Sequence, residues 1–415
     1  MILAAVFTFP VRGDDSAKTP VPPVAATIAE VAVPAQAAPA PATPAEPAPA
    51  TATVQAAPAS PPAPAPKAAT PEVKKPVTGP LQIKMGDNIS FRFGILLQPQ
   101  AELLQNSAGG TGQNLLVRRA RFLLGAQIAK NVFLFYETEN SRLGQANAAG
   151  VKTISTGFQT LDAVVEWRFK KPFNLSGGLV RVPTSREALE SSTNEFTIDF
   201  NTYAYTATGA LAGTGGRDTG IMARGYLFKD RFEYRGGLFS GVRQAGSRNA
   251  FRKVARVQYN FFDTEVYGFP SYAGSNFGAK KILALGAGYD TQLDYRGKTI
   301  DLFGDFPTGF GSALGTVTWQ NLDGGNTFRT TLGDSRIITV EGGLYFKRIK
   351  VGPWARYENR DFDVTNNRDE KKALFGVNYY PYGNNFNIKV AVARTSPAAG
   401  RDLNQFVIQL QAYYY

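Results

Sequence analysis

Arginines recur at alternate positions in the strand-like segments of this chain of 415 residues. Arg119 and Arg121 are two residues apart, and Arg252 and Arg256 are four apart. Residues separated by an even number point to one face of a β-strand, so each pair shares a face. A guanidinium offers a planar fork of donors that suits phosphate or carboxylate. The pattern therefore predicts either an anion path or solvated charge without a specific binding role.

The composition argues against an enzyme. The chain contains no histidine and no cysteine. It therefore has no His-containing triad, no imidazole base or metal ligand, no thiolate and no disulfide. Carboxylate or lysine chemistry remains open, but a barrel enzyme of the lipase or protease kind is disfavoured. We expect a protein that is not an enzyme and that uses no cofactor or metal.

The basic charge of the chain lies outside its first 80 residues. Those residues hold five basic and five acidic side chains, so the net charge of +12 belongs to residues 81–415. Such a charge favours a basic exterior, a nucleic-acid partner or a positive pore that focuses anions. No nucleic-acid-binding motif and no basic helix with interleaved aromatic residues is found, so we expect no nucleic-acid partner.

The first 80 residues differ in composition from the rest. Ile2–Phe9 is a short apolar run, which predicts that residues 1–18 are a remnant of a signal peptide. Residues 1–80 carry 18 of the 26 prolines, and residues 19–80 are rich in alanine and proline. Proline at this density prevents a core, so residues 19–80 are predicted to be a disordered periplasmic linker. The linker is either a spacer that contacts the cell wall or an inert tail.

Residues 81–415 are predicted to be one all-β domain, because apolar and polar residues alternate there with a period of two. No apolar run of 20 residues is present, so no spanning helix is expected. We identify sixteen runs, an even number that suits a transmembrane antiparallel β-barrel. The predicted strands are 90–103, 114–128, 131–140, 159–170, 173–183, 217–228, 231–241, 250–261, 281–291, 297–306, 312–322, 336–347, 350–361, 371–381, 384–395 and 403–415.

The connections between these runs alternate in length, as they do in outer-membrane barrels. Short ones lie at 129–130, 171–172, 229–230, 348–349 and 382–383; long ones lie at 104–113, 141–158, 184–216, 323–335 and 362–370. Segment 262–280 is long where a short turn is expected. It is either a folded excursion at the short-turn side or a sign that the strand count is wrong there.

The last strand also fits a membrane barrel. Phe406, Ile408 and Leu410 alternate with Gln405, Gln409 and Gln411, and the chain ends on three tyrosines. An aromatic end to a strand is expected at the membrane interface. An ordinary edge strand of a soluble, secreted β protein is the alternative.

Three stretches resemble the phosphate-selective porin O and P family. Leu116–Gly125 (LVRRARFLLG) resembles its paired-arginine strand, and Gly178–Ser192 (GLVRVPTSREALESS) resembles its strand-to-loop element. Arg217–Ile221 (RDTGI) followed by Gly236–Gly241 (GGLFSG) resembles a glycine-containing strand and its glycine-rich successor. The resemblance covers about residues 85–415.

The resemblance implies a sixteen-stranded homotrimeric porin in the bacterial outer membrane, surrounded by lipid and lipopolysaccharide. It implies that loop 184–216 folds inward as a constriction and that Arg181, just before it, faces the lumen. The loop contains one base, Arg186, against four acids, namely Glu187, Glu190, Glu195 and Asp199. Glu187 and Glu190 are expected to anchor the loop to the barrel wall.

These observations predict a passive diffusion channel for small hydrophilic solutes with a modest anion preference, phosphate being one candidate solute. The alternative is a structural outer-membrane barrel, plugged inside and tethered toward the cell wall by its Ala/Pro segment. The predicted anion path is lined by Arg119, Arg121, Arg181, Arg217, Arg224, Arg235, Arg252 and Arg256.

Overall fold

The computed structural model describes residues 81–146, 151–152, 154, 157–203, 211, 215–266, 271–363 and 368–415. The predicted signal remnant, residues 1–18, and the predicted linker, residues 19–80, lie outside the described residues.

The described residues form seventeen β-strands. Their bounds are β1 Leu81–Met85, β2 Ile89–Gln105, β3 Thr111–Ala129, β4 Val132–Leu143, β5 Gln159–Lys170, β6 Phe173–Arg181, β7 Arg217–Leu227, β8 Phe232–Phe239, β9 Arg252–Asn260, β10 Ile282–Gln292, β11 Tyr295–Thr308, β12 Gly311–Asp323, β13 Ser335–Phe346, β14 Val351–Phe362, β15 Glu370–Tyr379, β16 Phe386–Pro397 and β17 Leu403–Tyr414.

Strands β2 to β17 form a closed antiparallel barrel of sixteen strands. Each of them pairs with the next along the chain, and β17 returns to β2, from Gln405 opposite Leu104 to Tyr414 opposite Ile95. Closure removes the free sheet edges that an open sheet of this size would expose. The sixteen predicted runs correspond one to one with these strands, so the predicted fold is confirmed. Strand β1 was not predicted; it forms a hairpin with the start of β2.

The barrel encloses charged side chains together with apolar clusters such as that of Leu123 and Phe135, and its exterior is apolar. In β9, Arg252, Arg256 and Gln258 are buried inside, while Val257 and Tyr259 are exposed outside. A soluble barrel places its apolar side chains inside, whereas a transmembrane barrel inverts the pattern. The alternation predicted from the sequence is therefore confirmed, with the polar face toward the lumen.

Among the described residues, helix is confined to short turns such as α1 (Arg186–Leu189) and the 3₁₀ turn Ala245–Ser247. No helix in those ranges has the length and apolar character needed to cross a bilayer.

Loops of different length lie at the two ends of the barrel. One end, called here the short-turn end, carries the connections of two to six residues, such as 130–131, 171–172 and 309–310, and the last residue, Tyr415. The opposite, long-loop end carries 144–158 and 182–216, but also the two-residue turn 293–294. Segment 261–281 is the exception at the short-turn end. It joins β9 to β10, which pair directly, so the predicted strand count holds and the segment is an insertion.

The terminal tyrosines divide between the two faces of β17. Tyr413 and Tyr415 pack on the lumen side against the cluster that contains Leu123 and Phe135, and Arg92 lies 4.3 Å from the Tyr415 ring. Strand alternation leaves Tyr414 to face outward. The chain end therefore contributes one tyrosine to the exterior and two to the short-turn mouth of the lumen.

Candidate functional site: the barrel lumen

The predicted arginines lie inside the barrel because each occupies the polar face of its strand. A bulge in β3 adds another: Arg118 and Arg119 both lie opposite Gln98, where the register between β2 and β3 shifts. In a bulge two residues face one on the partner strand, so the extra side chain is redirected. As a result Arg118 and Arg119 both reach into the lumen, where both bind Asp199.

The lumen arginines are bound to acceptors of the barrel and its loop. Arg181 donates to the backbone oxygen of Glu190. The other seven predicted arginines each meet a carboxylate. The pairs are Arg119 with Asp199, Arg121 with Glu137 and Glu139, Arg217 with Asp162 (2.9 Å), Arg224 with Glu166 (2.7 Å), Arg235 with Glu233 (2.7 Å), Arg252 with Asp290 (2.8 Å) and Arg256 with Asp301 (2.8 Å).

This pairing changes the expected electrostatics of the lumen. Opposite charges a few ångströms apart act at a distance as a dipole, whose field decays faster than that of a single charge. The excess of basic residues in 81–415 therefore gives a weaker positive lumen than a row of unpaired arginines would give. A small anion preference is compatible with this arrangement, whereas the pairs already occupy donor forks that a tightly held phosphate would use.

The described part of loop 182–216, mainly residues 182–203, lies inside the lumen. Helix α1 begins after Ser185, whose hydroxyl accepts a hydrogen bond from the Ala188 amide (3.1 Å). Glu187 accepts from the Thr318 hydroxyl of β12, and Glu190 pairs with Arg186 (3.1 Å). Glu187 therefore contacts the barrel wall, whereas Glu190 closes the helix turn.

The tip of the loop is held by bases from the opposite wall. Lys389 of β16 donates to the backbone oxygens of Glu195 (2.6 Å) and Thr197 (2.7 Å). Arg356 of β14 donates to the backbone oxygen of Asp199 (2.7 Å). These contacts fix a loop that would otherwise carry unpaired backbone acceptors inside the barrel.

Two loop carboxylates differ in their protonation tendency. Burial alone would raise the pKa of Asp199, but Arg118 and Arg119 hold it well below its usual range. Burial and the nearby Glu195 raise the pKa of Glu190 well above its usual range, although Arg186 opposes the shift. Asp199 therefore carries a permanent negative charge at neutral pH, whereas Glu190 takes up a proton more readily.

Sequence reasoning missed Arg118, Arg356 and Lys389. Strict alternation along the strand would place Arg118 on the exterior, because it is one residue away from Arg119. Pro99 on the facing strand is a signal for the bulge, since proline cannot donate to the sheet and is tolerated at such irregularities. Arg356 and Lys389 stand at polar-face positions, but their loop partners lie more than 150 residues away along the chain.

A cavity of about 160 Å³ lies between the loop and the barrel wall, with a mostly apolar lining that includes Leu123 and Phe135. Ser191, Thr193 and Asn194 of the loop line it together with Arg181 and Tyr413. Within the described ranges, no three Asp or Glu side chains gather into a metal-binding group. Hydroxyl, amide and guanidinium groups therefore lie beside aromatic and aliphatic side chains in the cavity.

The fold and the lumen define a porin-type β-barrel. Over residues 93–275 the chain matches the phosphate-selective porin O and P family, which confirms the resemblance seen in the sequence. No curated protein matches the chain in a sequence search.

Solved porins share the fold. The anion-selective porin from Comamonas acidovorans is 12% identical, with a TM-score of 0.57, over 79% of this chain and 100% of that one. Salmonella typhi OmpF in complex with daunomycin is 13% identical, with a TM-score of 0.54, over 80% and 100%. The trimer form of Vibrio cholerae OmpT is 13% identical, with a TM-score of 0.51, over 79% and 100%.

Proposed function

We propose that the protein is an outer-membrane diffusion channel for small hydrophilic solutes with a modest preference for anions. One observation carries the proposal: a closed barrel with an apolar exterior encloses charged side chains and a loop that folds inward. Charged side chains that line a membrane-spanning lumen suit a path for water-soluble solutes. The same side chains facing lipid would cost free energy. The family match supports a porin, and the anion-selective porin among the similar structures supports the preference.

The proposal includes a location and an assembly. The exposed apolar side chains of the barrel suit outer-membrane lipid, with lipopolysaccharide around the long-loop end. The short-turn end then faces the periplasm, and we propose the same compartment for residues 1–80, with contact between 19–80 and the cell wall. We infer a homotrimer, because one of the similar structures is described as a trimer form.

In this proposal each lumen arginine acts while it stays bound to its acceptor in the protein. Solutes pass along Arg119, Arg121, Arg181, Arg217, Arg224, Arg235, Arg252 and Arg256 while each guanidinium keeps its protein acceptor. Weak, sequential contact of this kind lets a solute enter and leave, as conduction requires. Phosphate is one permeant anion among others, rather than a tightly captured ligand.

Planar-bilayer recording of the purified protein tests the proposal. In a potassium chloride gradient the protein should conduct ions, with a reversal potential displaced toward the equilibrium potential of chloride. The displacement should be larger at low salt, where the lumen charges are less screened. Added phosphate should reduce chloride current only at concentrations far above those of a tight site. A channel that prefers potassium over chloride would contradict the anion preference.

A second candidate function rests on the dense packing of the lumen. Arg186, Arg217, Arg252 and Arg256 have at most 2% of their surface exposed. A lumen packed this tightly would suit a structural barrel that is plugged inside and tethered toward the cell wall. Lack of conductance from folded protein in the same recordings would favour this candidate.

Deleting residues 19–78 is expected to leave folding and conductance unchanged. A segment so rich in alanine and proline cannot bury enough apolar surface to offset the entropy of ordering. The measurement is single-channel conductance and gel mobility before and after heating, for full-length and shortened protein exported with the same signal. A changed conductance in the shortened protein would show that the segment acts in the pore.

A further inference from the structure

Segment 261–281 has no counterpart among the other short-turn connections, each of which has two to six residues. Its described parts, 261–266 and 271–281, contribute buried side chains, including Glu265, Tyr272 and Ala273. A periplasmic turn exposed to water would leave such residues accessible. The described parts of the segment therefore lie inside the barrel and are reached from the short-turn end, whereas loop 182–216 begins at the long-loop end.

The two intruding segments meet through their backbones. Tyr272 donates to the Leu189 oxygen (2.9 Å), and Ser191 donates to the Tyr272 oxygen (3.1 Å). Glu190 and Tyr272 form a parallel bridge. The Gly274 amide donates to the Asn194 oxygen (3.1 Å). One parallel β-bridge and a neighbouring backbone hydrogen bond thus join the segments inside the lumen.

An ion pair joins the same two segments. Both terminal nitrogens of Arg186 bind the Glu265 carboxylate, at 2.9 and 2.8 Å, and both side chains are fully buried. Arg186 also donates to the Ala273 oxygen (3.0 Å). A bidentate guanidinium–carboxylate pair fixes orientation as well as distance. Arg186, the single base of the loop, is therefore directed at the insertion.

Tyr272 is held from the barrel wall. Its hydroxyl donates to Glu233 of β8 (2.9 Å), and the guanidiniums of Arg186 and Arg235 each lie 4.8 Å from its ring. Gly274 completes the contact, since a Cβ there would overlap the backbone of Asn194 and Phe196. A close approach of two backbones is a position that requires glycine.

We propose that the described parts of segment 261–281, residues 261–266 and 271–281, form a second constricting element of the pore. The width open to a solute is then set by two segments that enter from opposite ends, with Glu265 and Tyr272 holding the insertion in place. This proposal rests on the proposed channel function and adds to it a determinant of conductance and size limit.

The test uses Glu265→Gln, which keeps the side-chain volume but removes the charge that binds Arg186, and Tyr272→Ala as a second variant. Each should raise single-channel conductance about twofold, because transport through a narrow pore depends on its diameter. Asp363→Asn is the matched control, since Asp363 pairs with Arg336 on the exposed surface (3.3 Å) and the change has the same chemistry.

A second measurement does not depend on conduction. The natural chain has no cysteine, so Ala273→Cys introduces a single thiol in the buried part of the insertion. A water-soluble maleimide should label it slowly, and several-fold faster when Glu265→Gln is added. Gel mobility before and after heating confirms that each variant is folded.

The outcomes separate the two proposals. Faster labelling with higher conductance supports the second constriction, as does conduction that appears only in the variants. If the wild type conducts and neither folded variant changes its conductance, the constriction is wrong and the channel function stands. If no folded protein conducts, the channel function fails, and the constriction fails with it.

Discussion

Replacing Asp199 by Asn should raise the anion preference of the channel. Arg118 and Arg119 both bind this carboxylate, the first at 2.8 Å, and they keep it ionised at neutral pH by lowering its pKa. The amide keeps the volume but leaves two guanidiniums without an opposing charge. A unit charge about 10 Å from a passing ion in water contributes roughly 0.4 kcal/mol, which is about twofold in occupancy for either sign of ion. The chloride-to-potassium permeability ratio should therefore rise roughly fourfold.

Reversal potentials in a potassium chloride gradient measure this ratio. The effect should shrink as salt rises, because the screening length is about 8 Å at 0.15 M and about 3 Å at 1 M. Asp363→Asn again serves as the control, since it changes net charge equally but alters an exposed surface pair. Equal shifts in the two variants would show that Asp199 does not face the ion path.

The sixteen barrel strands could be predicted from the sequence because their pattern is local. In each strand the alternation of polar and apolar residues identifies its two faces. Once the barrel is known to close in a membrane, the polar face must be the inner one. Strand β1 was not predicted because Leu81–Met85 is only five residues long. The bulge at Arg118 and Arg119 was not predicted because it breaks the period of two, from which side chains were assigned to the faces of the strand.

The partners of the lumen charges could not be predicted in the same way. Some pairs join strands that are not neighbours in the barrel: Arg224 of β7 reaches Glu166 of β5 across β6, and Arg256 of β9 reaches Asp301 of β11 across β10. Gly286 of β10 leaves the space for this contact, because a Cβ there would overlap both side chains. A count of arginines predicts a positive lumen, whereas the placement of carboxylates decides how much of that charge remains.

Removing one partner of the Arg256–Asp301 pair should strongly destabilise the barrel. Both side chains are 1% exposed, and Asp301 also accepts a hydrogen bond from the Arg186 amide at the start of the constricting loop (3.2 Å). Asp301→Asn leaves the Arg256 charge buried without its counterpart. Breaking a buried pair from one side typically costs about 3–5 kcal/mol. Urea unfolding in lipid vesicles, followed by the change of gel mobility on heating, measures the loss.

The double variant Arg256→Gln, Asp301→Asn shows whether charge or packing causes that loss. With both charges removed the penalty for an unpaired buried charge disappears, so most of the stability lost in Asp301→Asn should return. If the lumen at this pair were filled with water, solvent would screen the pair, and the single substitution would cost about 1 kcal/mol or less. A large single effect with recovery in the double variant would therefore place water away from Arg256 and Asp301. Arg256 would then act on passing solutes through its electric field, without direct contact. A small single effect would mean that water reaches the pair and that these charges border the path.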